Sequence, residues 1–340
     1  QEVIGSDADQ AYGLDVLGIP GTNGAGAYEN DPRYNGMPSF GISGYTSFGG
    51  VDGWSPIFRN EGSENYSLNA TWIKGSHEIR GGMDIVHLWM DHWQPELGNP
   101  RGSFDHNGGL TALGPSGSPN QFNAYAQFLL GEQNSVNKSI QYELQTTREW
   151  QYGFYIRDRW QVNRNLTLTL GLRYEKFPMA KRENRGMESY DPLGNGTNLV
   201  TLCGRGGTPD DCGFEVDHPN FLPRIGIAYR LGENNVIRGG YGRTVSPSPL
   251  SRPLRGFYPL TIANTFPSSN SFTSVTNFQQ GIPVFDGPDR SEAFVELPGT
   301  ADMRNVIDTL HRGYIDSWNL IFERRLPWDM SLSAGYVGTK

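Results

Sequence analysis

The chain reads as all-β: a section of an antiparallel transmembrane β-barrel, about eight strands in four hairpins, with long loops. Three observations predict this. Four times, two runs of alternating apolar and polar residues are joined by a tight turn. Between these hairpins lie long irregular stretches rich in Gly and Pro. No window approaches ~18 consecutive apolar residues, so no membrane-spanning helix is expected, and barrel strands escape a helix-length hydropathy window in any case.

Residues 1–62 show no sustained period and are rich in Gly, Asn, Asp, Pro and Tyr, which predicts surface loop with short strands over Phe40 to Phe48. From 63 to 340 strands and loops alternate. In the first hairpin Tyr66, Leu68, Ala70 and Trp72 alternate with Ser67, Asn69 and Thr71, and Lys74-Gly75-Ser76-His77 makes the turn. The return arm puts Ile79, Met83, Ile85 and Trp89 on one face, and Arg80, Gly82 and Asp84 on the other. Residues 91–148 form a long connection in which Ala124 to Leu130 suits helix or strand. Ser135 to Gln145 looks extended. If it crossed the membrane by itself, the tight turns would change sides midway, so it belongs outside the bilayer.

The second hairpin is the clearest. Trp150, Tyr152, Phe154, Ile156 and Trp160 share a face, answered by Leu166, Leu168, Leu170, Leu172 and Tyr174 across the Asn163-Arg164-Asn165 turn. Asp158 falls on this apolar face by parity and is expected at its rim beside Trp160. A strand has period two, so the backs of these arms are polar: Tyr155, Arg157, Arg159, Thr167, Thr169, Arg173 and Glu175. A long loop follows, from about 179 to 220. The third hairpin pairs Arg224 to Leu231 with Val236 to Arg243 across Gly232-Glu-Asn-Asn235. After a loop over about 246–313, the fourth pairs Trp318 to Arg325 with Leu332 to Tyr336.

Bulk properties agree. Mean hydropathy is -0.53 and 36% of residues are hydrophobic, low for a large globular core. The composition suits a barrel whose loops and interior are polar. A net charge of -8 without a basic stripe argues against nucleic acid. The chain begins Gln1-Glu2-Val3 and ends at Tyr336-Val-Gly-Thr-Lys340 in an apparent strand, so both ends are expected to be cut from a longer protein. Cys203 and Cys212 flank a Gly-, Pro- and Asp-rich turn; a disulfide is favoured over two free thiols, and no further zinc ligands lie nearby.

Several stretches together resemble the barrel of TonB-dependent receptors, most closely the Oar-like group with a carboxypeptidase-regulatory-like N-terminal domain. They are Tyr155-Ile-Arg-Asp-Arg-Trp160, Asn165 to Glu175, Trp72 to Gly82, Phe128-Leu-Leu-Gly131, Pro223 to Tyr229, Arg238-Gly-Gly-Tyr-Gly242, Gly281-Ile-Pro283, Trp318 to Pro327 and Gly335-Tyr-Val-Gly338. They occur in family order over roughly residues 38 to 340. The resemblance implies an outer-membrane barrel of about 22 strands with a plugged lumen. It also implies TonB-powered uptake of a scarce, bulky substrate, of which saccharide, peptide and metal chelate all fit. The expected partners are outer-membrane lipid and, in the full-length protein, its own plug domain and TonB; neither the plug nor a TonB-contacting segment is found in this stretch. Tight turns should be periplasmic and long loops extracellular. A passive porin or adhesin barrel is the alternative. A soluble carbohydrate-binding protein comes third, because outward Leu, Ile and Trp faces argue against it.

The inward-facing charges are expected to be Arg80, Asp84, Arg157, Arg159, Arg173, Glu175, Arg224, Arg230, Arg238 and Glu323. They would either contact the plug or line a path, or simply pair and hydrate within the wall. Loop aromatics Trp89, Trp93, Phe104, Tyr258, Phe266 and Phe272 are candidates for stacking on sugars or apolar groups, with self-packing of the loops as the competing account. Asp91-His92 and Asp105-His106 have no recognised metal spacing and are expected to be solvated, so no metal is assigned. Gly21-Thr-Asn-Gly-Ala-Gly26 lacks the strand and helix a dinucleotide loop requires. No nucleophile–base arrangement and no cofactor motif is found, so an enzyme is not expected.

Overall fold

A computed structural model describes residues 11–23, 31–50, 55–95, 99–190, 198–246, 258–283, 285–298, 303 and 309–340. Its backbone is organised around one antiparallel sheet of eight long strands: β1 (Phe58–Lys74), β2 (His77–Trp93), β3 (Gln145–Gln161), β4 (Leu166–Lys176), β5 (Phe221–Leu231), β6 (Asn235–Val245), β7 (Tyr314–Arg325) and β8 (Ser331–Thr339). Each strand pairs with the next in sequence, so the sheet is a meander in chain order. Two turns show why the hairpins form. Lys74 pairs with His77, leaving Gly75 and Ser76 to reverse the chain, and Gly75 takes the positive φ such a turn requires. At the second turn the Asn163 carboxamide oxygen accepts hydrogen bonds from the backbone N–H groups of Asn165 and Leu166 at 2.8 and 2.9 Å.

The register puts the predicted apolar residues on one face. Ile85, Tyr152 and Lys176 fall in one row, as do Met83, Phe154, Tyr174 and Phe221. Leu168, Ile227, Gly239 and Leu320 form another. This face is bare: Leu68, Ile156 and Leu320 are 61%, 57% and 59% exposed. The buried core lies elsewhere, in the connections, around Phe104, Val136, Ile140, Val200, Leu202 and Leu260. From Trp150 to Trp160 the apolar face runs about 34 Å along the strand, or about 24 Å in height at a tilt of about 45°. Glycines inside the strands serve close packing. Gly62 lies opposite Trp89, Gly82 opposite Tyr155 and Gly338 opposite Trp318, and a Cβ at each would come within 2.6, 2.8 and 2.6 Å of the ring.

The wall begins at Phe58, five residues before the expected boundary, and β1, β2 and β3 reach 17 residues each. The extra length lies beyond the apolar band. There Arg59, Asn60 and Glu61 meet water or protein on both faces, so no period-two signal marks them.

The long connections are structured. Strands Ser39–Ile42, Phe48–Gly49, Ser103–His106, Ser135–Gln141 and Thr261–Pro267 form a second sheet, so Ser135–Gln141 lies outside the wall, whereas Gln145, the end of the expected extended stretch, already opens β3. Ala124 to Leu130 is helical, within α1 (Gln121–Leu130), which is capped by Asn120 and ended by Gly131 in the left-handed region. Glu188–Tyr190, Leu199–Leu202 and Phe294–Glu296 form a third sheet.

Candidate functional site

The polar face of the sheet gathers the charges. Register places all ten predicted inward residues on this side, the face opposite Leu170 and Ile227. Seven of them form ion pairs. Arg173 binds Asp84 at 3.0 Å and Glu175 at 2.6 Å, while Asp84 also accepts from the Ser67 hydroxyl at 2.9 Å. Arg157 binds Glu78 at 3.0 Å, and Arg238 binds Glu323 at 3.1 Å. Arg159 lies 4.0 Å from Glu78. Glu78 was not among the expected residues, although it shares parity with Arg80. Arg80, Arg224 and Arg230 make no ion pair among the described residues. Two hollows open here: one of about 280 Å³ beside Arg80, Arg157, Arg173 and Arg224, and one of about 370 Å³ beside Arg159, Arg164, Arg230 and Arg238.

Polar groups also occupy the ends of the apolar face. Asp158 does fall on this face, where it contacts the His77 Nδ1 at 2.7 Å, and His77 stacks on Trp160. At the loop end His87 stacks on Trp150 at 4.3 Å, and Arg243 binds Asp316 at 2.7 Å. Tyr241 donates to the same carboxylate at 2.8 Å. These rings and charges bracket the bare Leu and Ile between them, the arrangement expected where an apolar band meets water.

The loop aromatics are mostly structural. Trp93 is buried between Tyr34 and Phe58 with the Arg33 guanidinium 4.8 Å from its ring. Phe104 is fully buried among Phe40 and Phe278. Tyr258 is buried and donates to the Glu296 carbonyl at 2.6 Å. These three cannot stack on a ligand as they stand. Trp89 belongs to wall strand β2 and covers Gly62. Phe266 is half-buried, 5.9 Å from Phe285, which leaves Phe272 as the exposed candidate. Self-packing prevails because loops this long bury their own backbone only by building a core.

The two Asp-His pairs also depart from expectation: both histidines are buried, not solvated. His92 contacts Gln94 through Nε2 at 3.0 Å, and its Nδ1 accepts from Arg59 at 3.3 Å. His106 contacts the Gly41 carbonyl, and burial pushes its imidazole below the usual range despite that bond. Burial pushes the Asp105 carboxyl up, partly offset by Asn137. Among the described residues no group of three His, Cys, Asp or Glu side chains is placed to hold a metal. Gly24 to Gly26 of the glycine-rich stretch lie outside the described residues.

Ion pairs that sequence reasoning missed hold the loops. Glu188 is buried with Arg182 at 2.7 Å and Arg185 at 2.5 Å, and Arg185 reaches Glu143 at 3.0 Å. Arg312 meets Glu149 of β3 at 3.3 Å, both buried. Lys138 is buried, donates to the Thr22 carbonyl at 2.5 Å and faces the Tyr34 ring; burial lowers its ammonium to about 7. Nothing in the local pattern distinguishes these residues from solvated charges.

Cys203 and Cys212 are joined by a disulfide in the loop that carries Arg182 to Glu188. Replacing both with serine should weaken this loop by about 2.5 kcal/mol, the chain-entropy value for a closure this short. Limited proteolysis between residues 179 and 220 reads the effect.

A family model described as outer membrane beta barrel domain matches residues 3–340. No curated protein matches. Among solved structures, the chain is similar to the Ralstonia pickettii toluene transporter TbuX, with a TM-score of 0.26, 8% identity and coverage of 83% of this chain and 57% of that one. It is also similar to the alcaligin outer-membrane receptor FauA from Bordetella pertussis, with a TM-score of 0.26, 12% identity and coverage of 84% and 39%. A third is the outer membrane transporter YddB from Escherichia coli, with a TM-score of 0.27, 12% identity and coverage of 91% and 38%. The chain thus spans less than two thirds of each of these structures.

Proposed function

Because this chain belongs to the outer membrane beta barrel domain family, we propose that its eight-strand sheet is one section of the wall of a TonB-dependent receptor, of the Oar-like kind, that takes up a bulky substrate. The observation that carries the reading is the two-faced sheet. One face is bare Leu, Ile and aromatic side chains over about 24 Å, the height of a lipid-facing band, and the other is arginine-rich. In this reading the apolar face meets lipid and the polar face lines the lumen. β1 and β8 are each hydrogen-bonded on one side among the described residues. Lipid offers no water for the free edge groups, so in this reading both edges are covered by pairing within the complete wall. The tight turns are periplasmic and the structured long connections extracellular, where they would meet substrate. Eight strands carrying connections this large suit a wide receptor barrel better than a small closed one.

Substrate uptake by cells carrying the full-length protein tests this. Candidate oligosaccharides, peptides and metal chelates are supplied with and without functional TonB. Accumulation should disappear when TonB is deleted. Accumulation that persists without TonB overturns the receptor reading in favour of a passive porin.

A further inference from the structure

We propose that the hollow beside Arg80, Arg157 and Arg224 is a binding site for a small anionic ligand bearing carboxylate or phosphate groups. The inference rests on the reading that this face lines the lumen, and it names the chemistry of what that lumen admits.

Register places Thr71, Arg80, Arg157, Gly171, Arg224 and Gly242 in one row across six strands. Arg80 stands directly opposite Arg157. Like charges so placed repel, and a sheet stabilised only by its own contacts would put an acid beside them. This row contains none. Gly171 separates Arg157 from Arg224, and its missing side chain leaves the floor of the hollow open; the nearest atom to a Cβ there would be the Arg224 Cβ, at 3.5 Å. Arg173 borders the same space from the next row.

The nearby carboxylates do not neutralise the group. Glu78 engages Arg157, while Asp84 and Glu175 both engage Arg173. Arg80 and Arg224 make no ion pair among the described residues, and the Arg157 Nε is buried without a hydrogen-bond partner. The lining therefore carries surplus positive charge around one space. Guanidinium forks match carboxylate and phosphate oxygens two at a time. At about 280 Å³, the hollow suits a compact ligand rather than a folded partner.

The test uses the full-length protein, folded in detergent and reconstituted in phospholipid vesicles, with citrate as the probe in calorimetric titration at low ionic strength. Citrate should bind the parent and weaken as salt is added. The double variant Arg80→Gln, Arg224→Gln should lose about tenfold or more in affinity, since each charge-assisted hydrogen bond is worth at least a factor of about ten. Arg80→Lys, Arg224→Lys should retain part of the binding by charge alone. Heat-modifiable gel mobility confirms that each variant folds. If the parent inserts into vesicles but does not bind citrate, or the glutamine variant binds as tightly as the parent, the site is overturned while the membrane reading stands. An acidic protein segment filling the lumen would exclude the probe and give that same negative result. Failure to insert overturns the membrane reading and the site together.

Discussion

Replacing Glu188 with alanine is expected to release the loop between β4 and β5 from the wall. The carboxylate is buried between Arg182 and Arg185, and removing it takes this buried counter-charge from both guanidiniums, leaving Arg185 to Glu143. Breaking a buried pair from one side costs about 3–5 kcal/mol. Trypsin should then cut after Lys181, Arg182 or Arg185 at least about a hundredfold faster, because each 1.36 kcal/mol is a factor of ten in the opening equilibrium. Acid should reproduce the effect. Burial pushes the Glu188 carboxyl up, but Arg182 and Arg185 together outweigh it and hold the group below its ordinary value of 4.5. A depressed folded value means that the stabilisation is fully present at neutral pH and is lost as pH falls from about 4.5 through the folded value. The parent loop should therefore become progressively more cleavable by an acid-active protease as pH falls below the ordinary value of 4.5, while the alanine variant is cleaved at any pH. Cleavage independent of both pH and Glu188 would show that the ion pairs do not hold this loop.

A charge one residue further along the wall should matter or not according to the face it lands on. Leu320 and Asn319 are neighbours in β7, both exposed, on opposite faces of the sheet. Leu320→Arg should destabilise the barrel in vesicles by about 2–4 kcal/mol, the cost of a cation near the middle of a lipid-facing band. Asn319→Arg should cost close to nothing, because Gly240 across the strand leaves room and that face meets water in the proposed lumen. Urea unfolding in lipid reads both. Equal effects at the two positions would mean that the apolar face does not meet lipid.

The hairpins were legible in the sequence because their determinants are local. Leu166 to Tyr174 alternate, Asn163 turns the chain, and the next strand repeats the pattern, so type, register and face follow from neighbouring residues. The ten inward charges were assigned to one face by the same parity. Glu78 was open to the same argument and went unassigned. The outer halves of β1 to β3 were not legible, since the alternation stops where both faces leave the apolar band. Which loop aromatics are buried was not legible for a related reason: Trp93, Phe104 and Tyr258 sit in irregular, polar stretches that look like surface, yet they form the cores of small loop sheets.

The sequence by itself determined an all-β chain, four hairpins, an apolar face and a charged one, because a strand's period of two and a turn's residue preferences act over a few positions. Only the tertiary structure decided which charges meet, which rings are buried and where hollows form. The contacts responsible join residues far apart in the chain: Thr22 with Lys138, Tyr34 with Gln141, Glu149 with Arg312. No local pattern encodes such pairs. They arise when the wall brings the roots of its long connections side by side, and burial then selects the partners that satisfy one another's charge.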